Sequence, residues 1–205
     1  MNIKTALLLV IAATMALGVA ACGGDGSTAS GEVAGNGTDR AFGAEMIPHH
    51  RSAVEMAEIA KKRGDHPEIK QLADAIISTQ NAEIAEMKRF DQPLKDAGLK
   101  PADLGMTAQA MGTDMDAAML QGAKPFDREF IDMMIGHHQG AIRMARVELE
   151  KGKSPGLLRL AKAIVDAQSK EIDQMNQWRV DWFGSLSPAS GVPTKDDGGH
   201  SGHGM

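Results

Sequence analysis

The sequence predicts an all-α protein, a ferritin-like four-helix bundle built from two copies of one helical hairpin. Three observations support this. Apolar residues recur at helical spacing from about residue 42 to 183, with no competing strand alternation. The stretch 42–90 aligns without a gap on 130–178, at an offset of 88 residues, and 18 of the 49 paired positions are identical. A 34-residue segment, 91–124, separates the copies and suits the single long crossover of a ferritin-like bundle. A plain up-down-up-down bundle is the alternative.

The first helix is expected from Asp39 to Arg63, with Gly64 as its C′ stop. Asp65-His66-Pro67-Glu68 supplies a cap and a proline for the start of the second, which runs to about Phe90 before Pro93 ends or kinks it. The third is expected from Pro125-Phe126-Asp127 to Lys151-Gly152. Ser154-Pro155 then opens the fourth, which reaches Trp182-Phe183. Turns this short force each helix pair to lie antiparallel. Within the crossover, Met111, Met115 and Met119 fall at i, i+4 and i+8, which predicts a short helix there.

The ends of the chain read differently. Residues 1–21 have an early Lys4, a short apolar run and small residues, the pattern of a secretory signal peptide and not of a membrane span. Val19-Ala20-Ala21-Cys22 resembles a bacterial lipobox, which implies lipidation at Cys22, the only cysteine. Residues 22–39 are rich in Gly, Ser and Thr and read as a lipid-anchored flexible linker. The bundle domain is expected over 40–184, and 185–205 as a disordered His/Gly-rich tail. The expected location is the outer face of the bacterial cell membrane, extracytoplasmic or periplasmic. Net charge is −5 with no basic cluster, so nothing supports nucleic-acid binding.

The duplicated residues that bear chemistry are few. Met-Ile-Pro-His-His at 46–50 is repeated as Met-Ile-Gly-His-His at 134–138, and a second methionine follows each pair, Met56 and Met144. His49 shares a seven-residue column with Phe42 and Met56, and His137 with Phe130 and Met144, so the imidazoles stand on the face that the core should occupy. Met46 and Met134 lie one turn back from the histidines. Pro48 and Gly136 loosen the helix beside each pair.

In the second and fourth helices, Glu83 stands in line with Ile69, Ile76 and Phe90, and Glu171 with Leu157, Ile164 and Trp178. Gln80 and Gln168 precede them by three residues on the same face. A carboxylate in a core stripe must be protonated, paired, bound to a cation, or placed at the stripe's edge where it reaches water. These four are therefore possible further metal ligands or polar core residues.

Imidazole suits zinc, copper, iron and nickel, whereas thioether sulfur favours Cu(I). A di-iron carboxylate bundle would need Glu-x-x-His on two helices, and here a methionine or isoleucine holds the position three residues before each histidine. Copper is therefore the expected metal, with zinc and iron as alternatives. His200, His203 and Met205 in the tail form a second, looser candidate set.

The doubled Met-Ile-x-His-His, the Gly-Ala-Ile-x-Met-Ala continuation after His138 and the Phe126-Asp127-Arg128-x-Phe130 lead-in resemble the domain of unknown function 305 family. That resemblance covers about 42–183. It implies exported proteins with a ferritin-like bundle and, in characterised relatives, copper binding for tolerance or trafficking. It points to His49, His50, His137 and His138, with Met46, Met56, Met134 and Met144 as further ligands. The expected function is copper buffering, tolerance or trafficking by a lipoprotein, with a metal ion and the membrane as partners and a homo-oligomer or metal-transfer protein as a possible one. A metal-dependent oxidoreductase and a bundle without metal are the other readings.

Overall fold

The computed structural model describes residues 34–194, so Cys22, the signal and most of the linker, and His200, His203 and Met205 lie outside the described residues. The described elements are α1 (Gly37–Arg63), α2 (Pro67–Asp96), a one-turn α3 (Ala108–Met111), a 3-10 turn (Ala117–Gln121), α4 (Phe126–Lys151) and α5 (Pro155–Phe183). No strand occurs among the described residues. None of the described helices is long and apolar enough to cross a membrane.

The helix ends depart from the sequence expectation. α1 starts two residues before Asp39 because Asn36 is the N-cap: its side chain accepts from the Thr38 and Asp39 amides, and the Asp39 carboxylate accepts from the Asn36 amide. Gly64 is not left-handed; it has φ −52°. A Cβ there would sit 2.9 Å from Ile69, so this glycine is required by close approach. Nor does α2 stop at Phe90. It passes through Pro93 to Asp96, because Leu94 is buried and anchors a further turn. Proline removes one helical hydrogen bond, and packing of that turn offsets the loss.

The crossover also departs from expectation. Met111, Met115 and Met119 do not share a helix, because α3 ends at the left-handed Gly112 (φ 67°) and Met119 is 69 % exposed. The expected disorder does not begin at residue 185 either. Gln139 donates to the carbonyls of Ala189 and Gly191, Asn176 to that of Ser190, and Arg146 to those of Pro193 and Thr194, so residues 185–194 are fastened along α4 and α5.

The protein is a ferritin-like four-helix bundle. α1 packs on α2, α4 on α5, and the two hairpins meet chiefly through α1 and α4. Two carboxylates set their antiparallel order. Asp39, at the start of α1, accepts from the amides of Lys153 and Ser154, which precede α5. Asp127, at the start of α4, accepts from the amides of Asp65 and His66, which precede α2. All three residue pairs are related by the 88-residue offset, so the duplication is expressed as a pseudo-two-fold axis between α1 and α4. The crossover runs the length of the bundle: Ala102 donates to the Gly37 carbonyl at one end, and Arg63 donates to the Leu120, Gln121 and Ala123 carbonyls at the other.

Two apolar clusters fill the interior. One contains Met56, Ile76, Ile131, Met134, Ile172 and Met175; the other contains Met46, Ile84, Met87, Met144, Leu157 and Ile164. The polar residues of the repeat lie between them.

Candidate metal centre

The pseudo-two-fold axis brings the duplicated histidines together in a buried row. His49 and His137 lie ring on ring with centroids 3.6 Å apart and planes tilted by 32°. Outside them stand His50, 6.3 Å from His49, and His138, 6.4 Å from His137. All four are at most 1 % exposed. α1 and α4 continue unbroken through Pro48 and Gly136. Neither residue loosens its helix, and a Cβ at position 136 would meet Met115 only at an ordinary contact distance of 3.5 Å.

Each outer imidazole is held by the glutamate of its own hairpin. His50 Nε2 donates to Glu83 Oε2 at 2.8 Å, and His138 Nε2 donates to Glu171 Oε2 at 2.6 Å. The glutamates sit at the rim of the layer, with side chains 12 % and 25 % exposed, so they are partnered as well as partly hydrated. In the inner pair, His137 Nε2 donates to the His49 backbone carbonyl at 3.0 Å. The His137 and Met111 backbones lie near His49, too poorly aligned for a full hydrogen bond.

These contacts leave a consistent remainder. With Nε2–H engaged, Nδ1 of His50, His137 and His138 is buried without a partner, and His49 lacks one at both nitrogens. Buried polar atoms are nearly always satisfied, so orphaned imidazole nitrogens on four neighbouring rings mark a place prepared for something else. The inner rings resist protonation. Burial first, and the neighbouring imidazoles second, lower His49 from 6.5 to about 3 and hold His137 well below its ordinary value. A neutral ring keeps a lone pair available for a cation.

Gln80 and Gln168 belong to this layer. Gln80 lies between Ile76 and Ile84, and Gln168 between Ile164 and Ile172, each flanked by members of the two clusters. Both are buried, Gln80 with an unpartnered Oε1 and Gln168 with neither amide atom partnered. Met46, Met56, Met134 and Met144 are all fully buried but divided: Met46 and Met144 are in one cluster and Met56 and Met134 in the other. Among the described residues, no three His, Cys, Asp or Glu side chains are grouped to hold a single ion. A zinc site closed by four such ligands, or a di-iron carboxylate site, does not fit this donor set. A soft cation satisfied by few nitrogen and sulfur donors fits better.

Sequence reasoning passed over three features. The Asp39 and Asp127 clamps were legible, because Asp-Arg-x-Phe occurs at 39–42 and again at 127–130. Glu148 is fully buried against Asp39, with the proton-bearing form favoured: burial first, then its contact with that carboxylate, push it up from 4.5 to about 9. The crossover roofs the histidine row. A Cβ on Gly112 would lie 3.3 Å from the His137 Cα, and one on Gly140 would overlap the Met111 carbonyl. Only close backbone approach accounts for that glycine, and no local pattern signals it.

The family profile described as Domain of unknown function (DUF305) matches residues 39–179. CopM in the Cu(I)-bound form is similar at 39% identity and TM-score 0.61, over 71% of this chain and 98% of that one. CopM in the Cu(II)-bound form gives 39% identity and TM-score 0.62, over 71% and 97%. A DUF305 protein from Streptomyces coelicolor is 28% identical with TM-score 0.63, over 73% of this chain and 96% of that one. No curated protein matches the chain. With the duplicated hairpins, the histidine row and the profile in agreement, the chain belongs to the DUF305 family.

Proposed function

We propose that this chain is an exported lipoprotein that binds copper, Cu(I) in preference, in the buried histidine row and buffers it or hands it on. One observation supports this most directly: four neighbouring imidazoles are buried with unpartnered Nδ1 atoms. A protein gains nothing by stranding four polar atoms in its core unless a ligand satisfies them. His49, His50, His137 and His138 would supply nitrogen donors, with Met46, Met56, Met134 and Met144 as thioethers in the flanking layers. Glu83 and Glu171 would orient the outer rings from behind, the usual arrangement for a ligating histidine. Bound copper would supply a soft cation for transfer; no turnover is required.

Two relatives lend support. CopM has been solved with Cu(I) and with Cu(II), and the Streptomyces coelicolor relative carries the description "putative secreted protein". Lipidation at Cys22 would tether the protein to the outer face of the cell membrane, where the tail residues His200, His203 and Met205 would offer a weaker second set of donors.

Titration of the apo protein with Cu(I) and Cu(II) tests the reading. Tight stoichiometric binding that disappears in His49→Ala/His137→Ala is expected. Unchanged binding in that variant would remove these residues from the site. The His50–Glu83 and His138–Glu171 hydrogen bonds favour a second reading, a bundle stapled by polar pairs without metal. Equal melting temperatures with and without copper would select it, since a ligand of the native state must stabilise that state.

A further inference from the structure

The histidine row is sealed on two sides by apolar clusters, yet an ion must reach it. One small pocket, of about 140 Å³, opens to solvent beside the crossover and is lined by Glu45, Asp103, Met106 and Met111, with Ala102 and Leu104. Its lining residues carry two thioethers and two carboxylates, with Asp103 Oδ1 also accepting from the Gly105 amide. An apolar gap would not present carboxylates, and a hard-cation site would not present two sulfurs.

The pocket leads inward. Met106 and Met111 pack on the cluster that contains Met46, which is buried and follows Glu45 directly in α1. Met46 is one turn from His49, about 4.5 Å along the axis at 1.5 Å per residue. Met111 also brings its backbone near the His49 ring, so one residue lines the pocket and roofs the row. The duplication supplies no second copy of this route. The residue matching Glu45 is Met133, and the crossover has no counterpart.

We propose that this pocket is a loading site for Cu(I), in which Glu45 and Asp103 attract the cation, Met106 and Met111 hold it through sulfur, and Met46 passes it to His49. The proposal rests on the reading of the histidine row as the copper site. The step is ligand exchange on a monovalent ion, with no change of oxidation state.

The experiment follows transfer of Cu(I) from its complex with a coloured chelator to the full-length apo protein, by stopped flow. The Met106→Leu/Met111→Leu variant conserves volume and apolarity, so the fold is retained, as circular dichroism will check. Met119→Leu, at an exposed methionine, is the control. The double variant is expected to load at least tenfold more slowly than the control, with final tight occupancy unchanged and one weakly held Ag(I) missing by native mass spectrometry. Glu45→Gln is expected to slow loading several-fold and to weaken its dependence on salt.

Loading as fast as the control, with the same Ag(I) count, would overturn the port while leaving the buried site intact. A methionine-dependent weak ion without any tight site would instead refute the histidine reading and overturn transfer, leaving a surface site alone.

Discussion

His137 donates from Nε2 to the backbone carbonyl of His49 while the two ring centroids lie 3.6 Å apart with planes tilted by 32°, so each half of the duplication completes the surroundings of the other. Unpartnered nitrogens in this pair weaken the apo fold, since a buried polar group without a partner costs about 1–3 kcal/mol. Apo His49→Leu is therefore expected to melt within a few degrees of wild type or above it, but to lose the rise in melting temperature that Cu(I) gives. Thermal melts of both proteins, with and without Cu(I), decide this. A large fall in the apo variant would mean that the rings hold the core themselves.

The Asp39 and Asp127 clamps hold one hairpin to the other at the two ends of the bundle. Asp127→Ala strands the Asp65 and His66 amides and removes the 2.6 Å contact with His66 Nδ1. We expect a loss of about 2–3 kcal/mol in urea unfolding, from stranded donors and the missing cap. Asp39→Ala should cost a similar amount. A loss below about 0.5 kcal/mol in both would show that α1–α4 packing alone sets the order.

Glu148 and the inner histidines give opposite pH slopes. Glu148 holds its proton in the folded state up to about pH 9, whereas the unfolded chain releases it near 4.5. Between those values the native state binds more protons than the unfolded one, so this group makes stability fall as pH rises. His49 and His137 act on the acid side. Their unfolded rings take up protons below 6.5 that the buried rings refuse, so stability falls as pH drops from there toward 3. Glu148→Gln, which keeps a donor toward Asp39 and cannot ionise, is expected to be more stable at pH 7, on the order of 2 kcal/mol. It should also flatten the decline on the alkaline side. Melting temperature measured from pH 4 to 9.5 checks both slopes, and a variant curve parallel to wild type above pH 6 would refute the assignment.

Gly140→Ala tests the roof. The added methyl would overlap the Met111 carbonyl and carbon, backbone atoms that move only if the crossover lifts from α4. Overpacking of this kind costs about 1–3 kcal/mol. The variant should also release bound Cu(I) faster to an external chelator, with final affinity less affected than the rate. A stable variant with wild-type release would mean that the crossover does not cover the row.

Helix number, duplication and the identity of the chemical residues were legible in the sequence, because periodicity and repetition are properties of the chain itself. A seven-residue column put His49, His137, Glu83 and Glu171 on inward faces, since residues at that spacing share an azimuth whatever packs against them. The same logic failed for the crossover, where Met111, Met115 and Met119 keep helical spacing without a helix, because Gly112 turns the backbone left-handed. It also placed four methionines around the histidines without showing that Met46 and Met144 belong to one cluster and Met56 and Met134 to the other.

What the sequence determined by itself is a pair of similar hairpins, each with two imidazoles, a glutamate and a glutamine on its buried side. Only the tertiary structure decided that the pairs meet across an axis as one buried row, that Nε2 of His50, His137 and His138 is engaged while every Nδ1 is left over, and that the crossover lies on top. The physical reason is that azimuth on a helix is local, whereas the partner of a side chain depends on the order and tilt of helices far apart in the chain. Here that order is set by two carboxylates gripping the start of the opposite hairpin.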